Sequence, residues 1–72
     1  MTIKKGLYEH FKGGWYYVIG TAIHTETEEE MVIYYHEGEP SKLWVRPASM
    51  WFERINGEPR FKFVSRDTTF II

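Results

Sequence analysis

The chain has 72 residues, 43% apolar and 18% aromatic, with no cysteine, a formal net charge of −1 and a pI near 6.3. That length allows one hydrophobic core, and a chain this short buries only about 60% of the surface its unfolded form exposes. Disulfide and thiolate staples are excluded, the Lys and Arg surplus of a non-specific nucleic-acid binder is missing, and no segment has the ~20 apolar residues of a membrane-spanning helix.

No stretch keeps helical spacing of apolar residues over three turns, whereas alternation recurs throughout. LYEHF (7–11) reads as a short opening strand and KGG (12–14) as the turn after it. WYYVIGTAIH (15–24) is long and rich in aromatic and β-branched residues. Its alternation sets Tyr16, Val18, Gly20 and Ala22 against Trp15, Tyr17, Ile19 and Ile23, and Gly20 in mid-strand predicts a bulge or bend.

HTETEEEM (24–31) then packs one imidazole, two hydroxyls and four carboxylates into eight residues, ahead of a third strand, MVIYYH (31–36). KLWVR (42–46) sends Leu43 and Val45 one way and Trp44 and Arg46 the other. With Leu43 and Val45 inward, Trp44 faces the surface or a groove. Pro47 stops a paired strand, so RPASM (46–50) predicts one turn of 3₁₀ helix. Asn56-Gly57 is a short-hairpin signal, because both central residues of a type I′ turn need positive φ. GEP occurs at 38–40 and 57–59, read as re-used turn chemistry, and RFKFV (60–64) alternates Phe61 and Phe63 against Arg60 and Lys62. The apolar tail TTFII (68–72) is expected either to close the sheet as an extra strand or to be a sticky end that joins two copies weakly.

Five to six short antiparallel strands around one aromatic core predict an all-β domain. A small barrel is expected over an open sheet, which would leave bare edges and one poorly covered apolar face.

The motifs together resemble the bacterial domain of unknown function 1653 family. The resemblance rests on Tyr8, His10, Phe11, Lys12 and Gly13; on His24, Thr25, Glu26, Thr27 and Glu29; on LWVRP (43–47); and on PRF (59–61). It covers nearly the whole chain, departing in a shorter loop between Tyr35 and Leu43 and in the tail beyond Val64. It implies an SH3-like barrel and brings no biochemical activity with it.

Candidate sites are few. His24, Glu26, Glu28 and Glu30 share one face if extended, about 6.5–7 Å between successive side chains, too wide for one ion. The segment is therefore read as an acidic turn capped by Thr25 or Thr27, with a metal-dependent activity at 24–30 as a distant alternative. His10 and His36 are read as structural. Ser41, Ser49 and Ser65 sit in no nucleophile elbow, no glycine-rich phosphate loop is present, and an enzyme is not expected. Glu53 shares a strand phase with Trp51 and Ile55, which would bury it and calls for Arg46 or Arg60 as partner.

The more informative stretch is LWVRPASMWFE (43–53). Trp44, Arg46 and Trp51, joined by Tyr17 or Tyr35, are expected to form either lids over an open barrel end or an aromatic-plus-arginine platform of the kind that docks peptides. The expected function is a binding module for a protein or peptide, working without a cofactor in the cytoplasm, as the absence of cysteine and of a signal-like apolar run suggests. A nucleic-acid accessory domain is the alternative that the net charge disfavours.

Overall fold

The computed structural model describes residues 3–65. In chain order the elements are β1 (Gly6–His10), β2 (Trp15–Ile23), β3 (Glu30–His36), β4 (Trp44–Pro47), a single helical turn α1 (Ala48–Trp51), β5 (Arg54–Ile55), β6 (Glu58–Pro59) and β7 (Phe61–Ser65). Five of the strands make one antiparallel sheet in the order β4-β3-β2-β1-β7, and β5 and β6 pair with each other as a small hairpin. The all-β class follows the alternation. The closure expected of a barrel is absent among the described residues: β4 and β7 stand at opposite edges of an open sheet.

Local signals act where the backbone needs them. Asn56 and Gly57 both have positive φ, 53° and 84°, and join β5 to β6 with Ile55 opposite Glu58. The β2–β3 register shifts between Val18 and Gly20, the bulge that the mid-strand glycine predicts. Because the bulge adds a residue to β2, Thr21 rather than Gly20 lies opposite the buried Val32, so the simple two-face reading of this strand holds only up to Val18.

Two expectations change at the end of β4. The turn after Pro47 is α-helical, not 3₁₀: the Phe52 amide donates to the Ala48 carbonyl at 3.2 Å, four residues back. The strand phase of 43–46 is also inverted. Trp44 lies opposite Tyr34 and Arg46 opposite Val32, so both stand on the core side of the sheet. Leu43 and Val45 are 55% and 59% exposed. Register with β3, not the apolarity of Leu43 and Val45, decided which side faces in.

The core lies on that side: Tyr8, Val18, Val32, Tyr34, Trp51 and Phe61, with Ile3, Tyr16, Ala48 and Phe63 packed at its rim. Trp51, delivered by α1 and only 1% exposed, covers it. Its ring stacks on Phe61 at 3.7 Å and 2°, meets Tyr8 edge-on at 5.3 Å and Tyr34 at 5.1 Å. Tyr8 in turn donates its hydroxyl to the Lys4 carbonyl at 2.7 Å. On the opposite side of the sheet a smaller cluster joins Leu7, Tyr17 and Tyr35, the two tyrosines stacked at 5.2 Å. The tail at 66–72, with its possible roles in closure or dimerisation, lies outside the described residues.

Trp51 also leaves its indole N–H buried without an acceptor among the described residues. Replacing it tests how much that ring supports. Trp51→Ala is expected to cost about 3–5 kcal/mol in urea unfolding, enough to unfold most of so small a domain. Trp51→Phe, which keeps a stacking ring and removes the unsatisfied donor, is expected to lose less than half of that.

Candidate functional site

The acidic segment resolves into a hairpin loop organised by its histidine. His24 Nδ1 accepts from the amides of Glu26 (3.1 Å) and Thr27 (3.3 Å), its carbonyl accepts from the Glu28 amide (2.9 Å), and its own amide donates to the Glu29 carbonyl (2.8 Å). Thr27 Oγ1 accepts from the Glu29 amide at 3.2 Å, and Glu28 takes a positive φ of 60°. One ring nitrogen is thus committed to the backbone, and the exposed Glu26, Glu28 and Glu29 project into solvent. Among the described residues no group of three or more His, Asp or Glu is placed to hold a metal ion. Thr27 caps a backbone amide as the sequence predicts, and His24 joins it by accepting two more.

The four side chains expected to share one aromatic-plus-arginine surface are divided between the core and the two sides of the sheet. Trp51 is core and Tyr17, 4% exposed, stands on the other side of the sheet, where burial and then the Glu37 carboxylate, which accepts its hydroxyl hydrogen bond, raise its pKa. Burial likewise raises that of Tyr35. Neither Trp51 nor Tyr17 can share a ligand with Trp44. What Trp44 does join is a row of rings across four strands on the core side. Its neighbour on β3 is His36 at 5.6 Å, followed by Tyr16 on β2 at 4.5 Å, His10 on β1 at 5.8 Å and Phe11 at 4.7 Å. Cross-strand pairing of Tyr34 with Trp44, His36 with Tyr16 and Tyr8 with Tyr16 sets this ladder, with His10 one turn of the pleat beyond Tyr8. Neither histidine has a visible partner in the sequence because the rings that surround them come from other strands.

Cations lie along the row. Lys42 Nζ sits 4.8 Å from the Trp44 ring centre, while Lys12 Nζ and the Arg60 guanidinium lie 5.7 and 5.9 Å from that of Phe11. The Arg46 guanidinium lies 5.7 Å from the centre of Phe61, a ring that also contacts His10 at 5.0 Å and Tyr16 at 5.5 Å. Arg60 is taken by Glu53, Nη2 to Oε1 at 2.9 Å and Nε to Oε1 at 3.1 Å. Glu53 is 45% exposed rather than buried, so this pair contributes under about 1 kcal/mol while tying the residue before β5 to the one before β7. The Arg46 side chain makes no hydrogen bond or ion pair with the described residues, among which its buried Nε finds no acceptor. Burial, and then the charges of Arg60, Arg46 and Lys12, lower the pKa of His10 from 6.5. Its Nδ1 accepts from the Lys12 amide at 3.2 Å, which leaves Nε2 as the protonated nitrogen of the neutral ring.

Two concavities flank the row. One, of about 380 Å³, runs between the end of β1 and the β5–β6 hairpin and is lined by His10, Phe11, Ile55, Pro59 and Lys62 among others. The other, about 200 Å³, opens on Ile3, Tyr8, Trp51, Phe52 and Phe63. Trp44 and Arg46 line neither of these two, whereas His10 and Phe11 at the far end of the row line the first. No helix among the described residues is long and apolar enough to cross a membrane.

An open five-stranded antiparallel sheet with a small two-stranded hairpin beside it and cations along its aromatic core side defines a small all-β domain. The family model described as a protein of unknown function (DUF1653) matches residues 6–63, and the chain belongs to that family. Among solved structures it is similar to a crystal structure of a DUF1653 protein from Bordetella bronchiseptica, at 31% identity and a TM-score of 0.77 over 92% of each chain. No curated protein matches it.

Two measurements check this account. His24→Ala removes the acceptor of two amides, and is expected to cost about 1 kcal/mol and to speed hydrogen exchange at Glu26 and Thr27 selectively. For His10, folding favours the neutral ring, so between its lowered value and 6.5 the unfolded chain binds more protons than the native one. Stability is then full above pH 6.5, declines as pH falls below it, and levels off once pH is below the lowered folded value. An imidazole titration followed by NMR should place the His10 midpoint under 6.5, and a His10→Gln variant should lose this part of the pH dependence.

Proposed function

We propose that this chain is a binding module that recognises a protein or peptide on the ring row, through Trp44, His36, Tyr16 and Arg46. The observation that carries the reading is the pairing of a 41% exposed Trp44 with a guanidinium that has no anionic partner among the described residues, on one continuous aromatic surface. Exposed tryptophan and unpaired arginine are the residue types that dominate binding energy at protein interfaces. Peptide-docking aromatic grooves are built the same way. The reading includes no catalytic step. A net charge of −1 favours protein over nucleic acid as the partner, and a cysteine-free chain suits a reducing compartment such as the cytoplasm.

An assigned ¹⁵N amide spectrum titrated with a peptide pool and with a single-stranded oligonucleotide tests it. Peptide-induced shifts are expected at Trp44, Arg46, His36 and Tyr16, and Trp44→Ala should weaken binding by about tenfold or more while leaving the rest of the spectrum in place. Shifts produced by the oligonucleotide alone, falling steeply with salt, would replace the reading with nucleic-acid binding.

A further inference from the structure

The ring row carries information about the partner's charge. Its ends and its middle each hold a cation: Lys42 on Trp44, Arg46 on Phe61, and Lys12 with Arg60 on Phe11. The carboxylate bound into this set is Glu53, on Arg60. Glu37, the acid nearest in sequence to His36, is engaged by Tyr17 on the opposite side of the sheet. A chain of net charge −1 thus sets four of its nine Lys and Arg side chains along this row, and among the described residues the guanidinium at its centre has no anion.

The dimensions add a constraint. Four neighbouring strands at about 4.8 Å spacing span about 14 Å, the length of four or five residues of extended peptide at about 3.3 Å each. Such a segment crossing from Trp44 to Phe11 passes Lys42, Arg46, and then Lys12 and Arg60 in turn.

We propose that the row seats a short, extended acidic segment of a partner protein, with one of its Asp or Glu carboxylates paired to Arg46 and apolar side chains laid on the intervening rings. The proposal rests on the peptide-binding reading above and names the partner's chemistry. One planar guanidinium matches one carboxylate in a two-pronged geometry, and in a partly desolvated position such a pair is among the stronger polar contacts a surface offers. The charged groups around His10 are Arg60, Arg46 and Lys12, with Glu9, Glu58 and Lys62 lining the adjoining groove. An acidic segment beside them opposes the cationic field on that ring.

The experiment titrates the full chain with two acetylated, amidated pentapeptides by NMR. One has four acidic residues around a phenylalanine; the other is its Gln/Asn isostere. The acidic peptide is expected to shift Trp44, Arg46, His36 and Tyr16, to bind about tenfold or more tighter than the isostere, to weaken with salt, and to raise the His10 imidazole midpoint. Arg46→Gln should abolish about nine-tenths of that affinity and Arg46→Lys recover part of it. Lys42→Gln, at an exposed end away from the core, should cost about threefold and serves as the readout if Arg46→Gln fails to fold. Equal binding of both peptides on the row would overturn the acidic inference and leave the peptide-binding reading standing. Silence from both, with row shifts from a proline-rich pool, would do the same. Silence from all three would overturn both readings.

Discussion

Everything in this domain leans on the contact between Trp51 and Phe61. The main sheet is a single layer, and among the described residues the helical turn carrying Trp51 is what covers its apolar face. An indole laid flat on Phe61, with Tyr8 and Tyr34 against its edges, supplies the second layer that a larger domain would build from a whole helix or another sheet. Aromatic rings suit this task because each removes some 150–250 Å² from water while fixing few torsions. The cost is visible in the indole N–H, which finds no acceptor among the described residues and is tolerated because no smaller residue could fill the same volume.

The same contact positions the candidate site. Phe61 presents one side of its ring environment to Trp51 and another to Arg46, His10 and Tyr16, so the core and the ring row share a wall. A rigid floor lets Arg46 stand partly desolvated with no carboxylate partner among the described residues, a condition that a mobile surface arginine would escape by turning into water. It also explains why His10 favours its neutral form: the ring is held against other rings, with three cations near it and its Nδ1 occupied by a backbone amide.

The acidic hairpin is the counter-example, a chemically rich segment whose geometry is spent on itself. His24 accepts the amides that a tight, positive-φ loop leaves over, and the carboxylates are left for solvent. Such a charged loop at the end of the β2–β3 hairpin discourages edge pairing with other chains.

Much of the architecture could be read from residue order alone. The strand alternation, the Asn56-Gly57 turn, the bulge at Gly20 and the break at Pro47 each follow from constraints within a few residues: side-chain period, φ sign, a missing amide hydrogen. Glu53 with Arg60 was legible as a pairing, though not as an exposed one. What the chain could not reveal locally is which face of KLWVR turns inward, since both faces are apolar enough and only hydrogen-bond register with β3 decides. That one decision placed Trp44 and Arg46 on the side of His36, Tyr16 and His10, opposite the side on which the alternation of β2 puts Tyr17. Rings on four different strands become neighbours only when the sheet forms. Local sequence therefore determined the elements, and tertiary register determined the site, because a strand's side-chain period is two and a shift of one residue exchanges everything it presents.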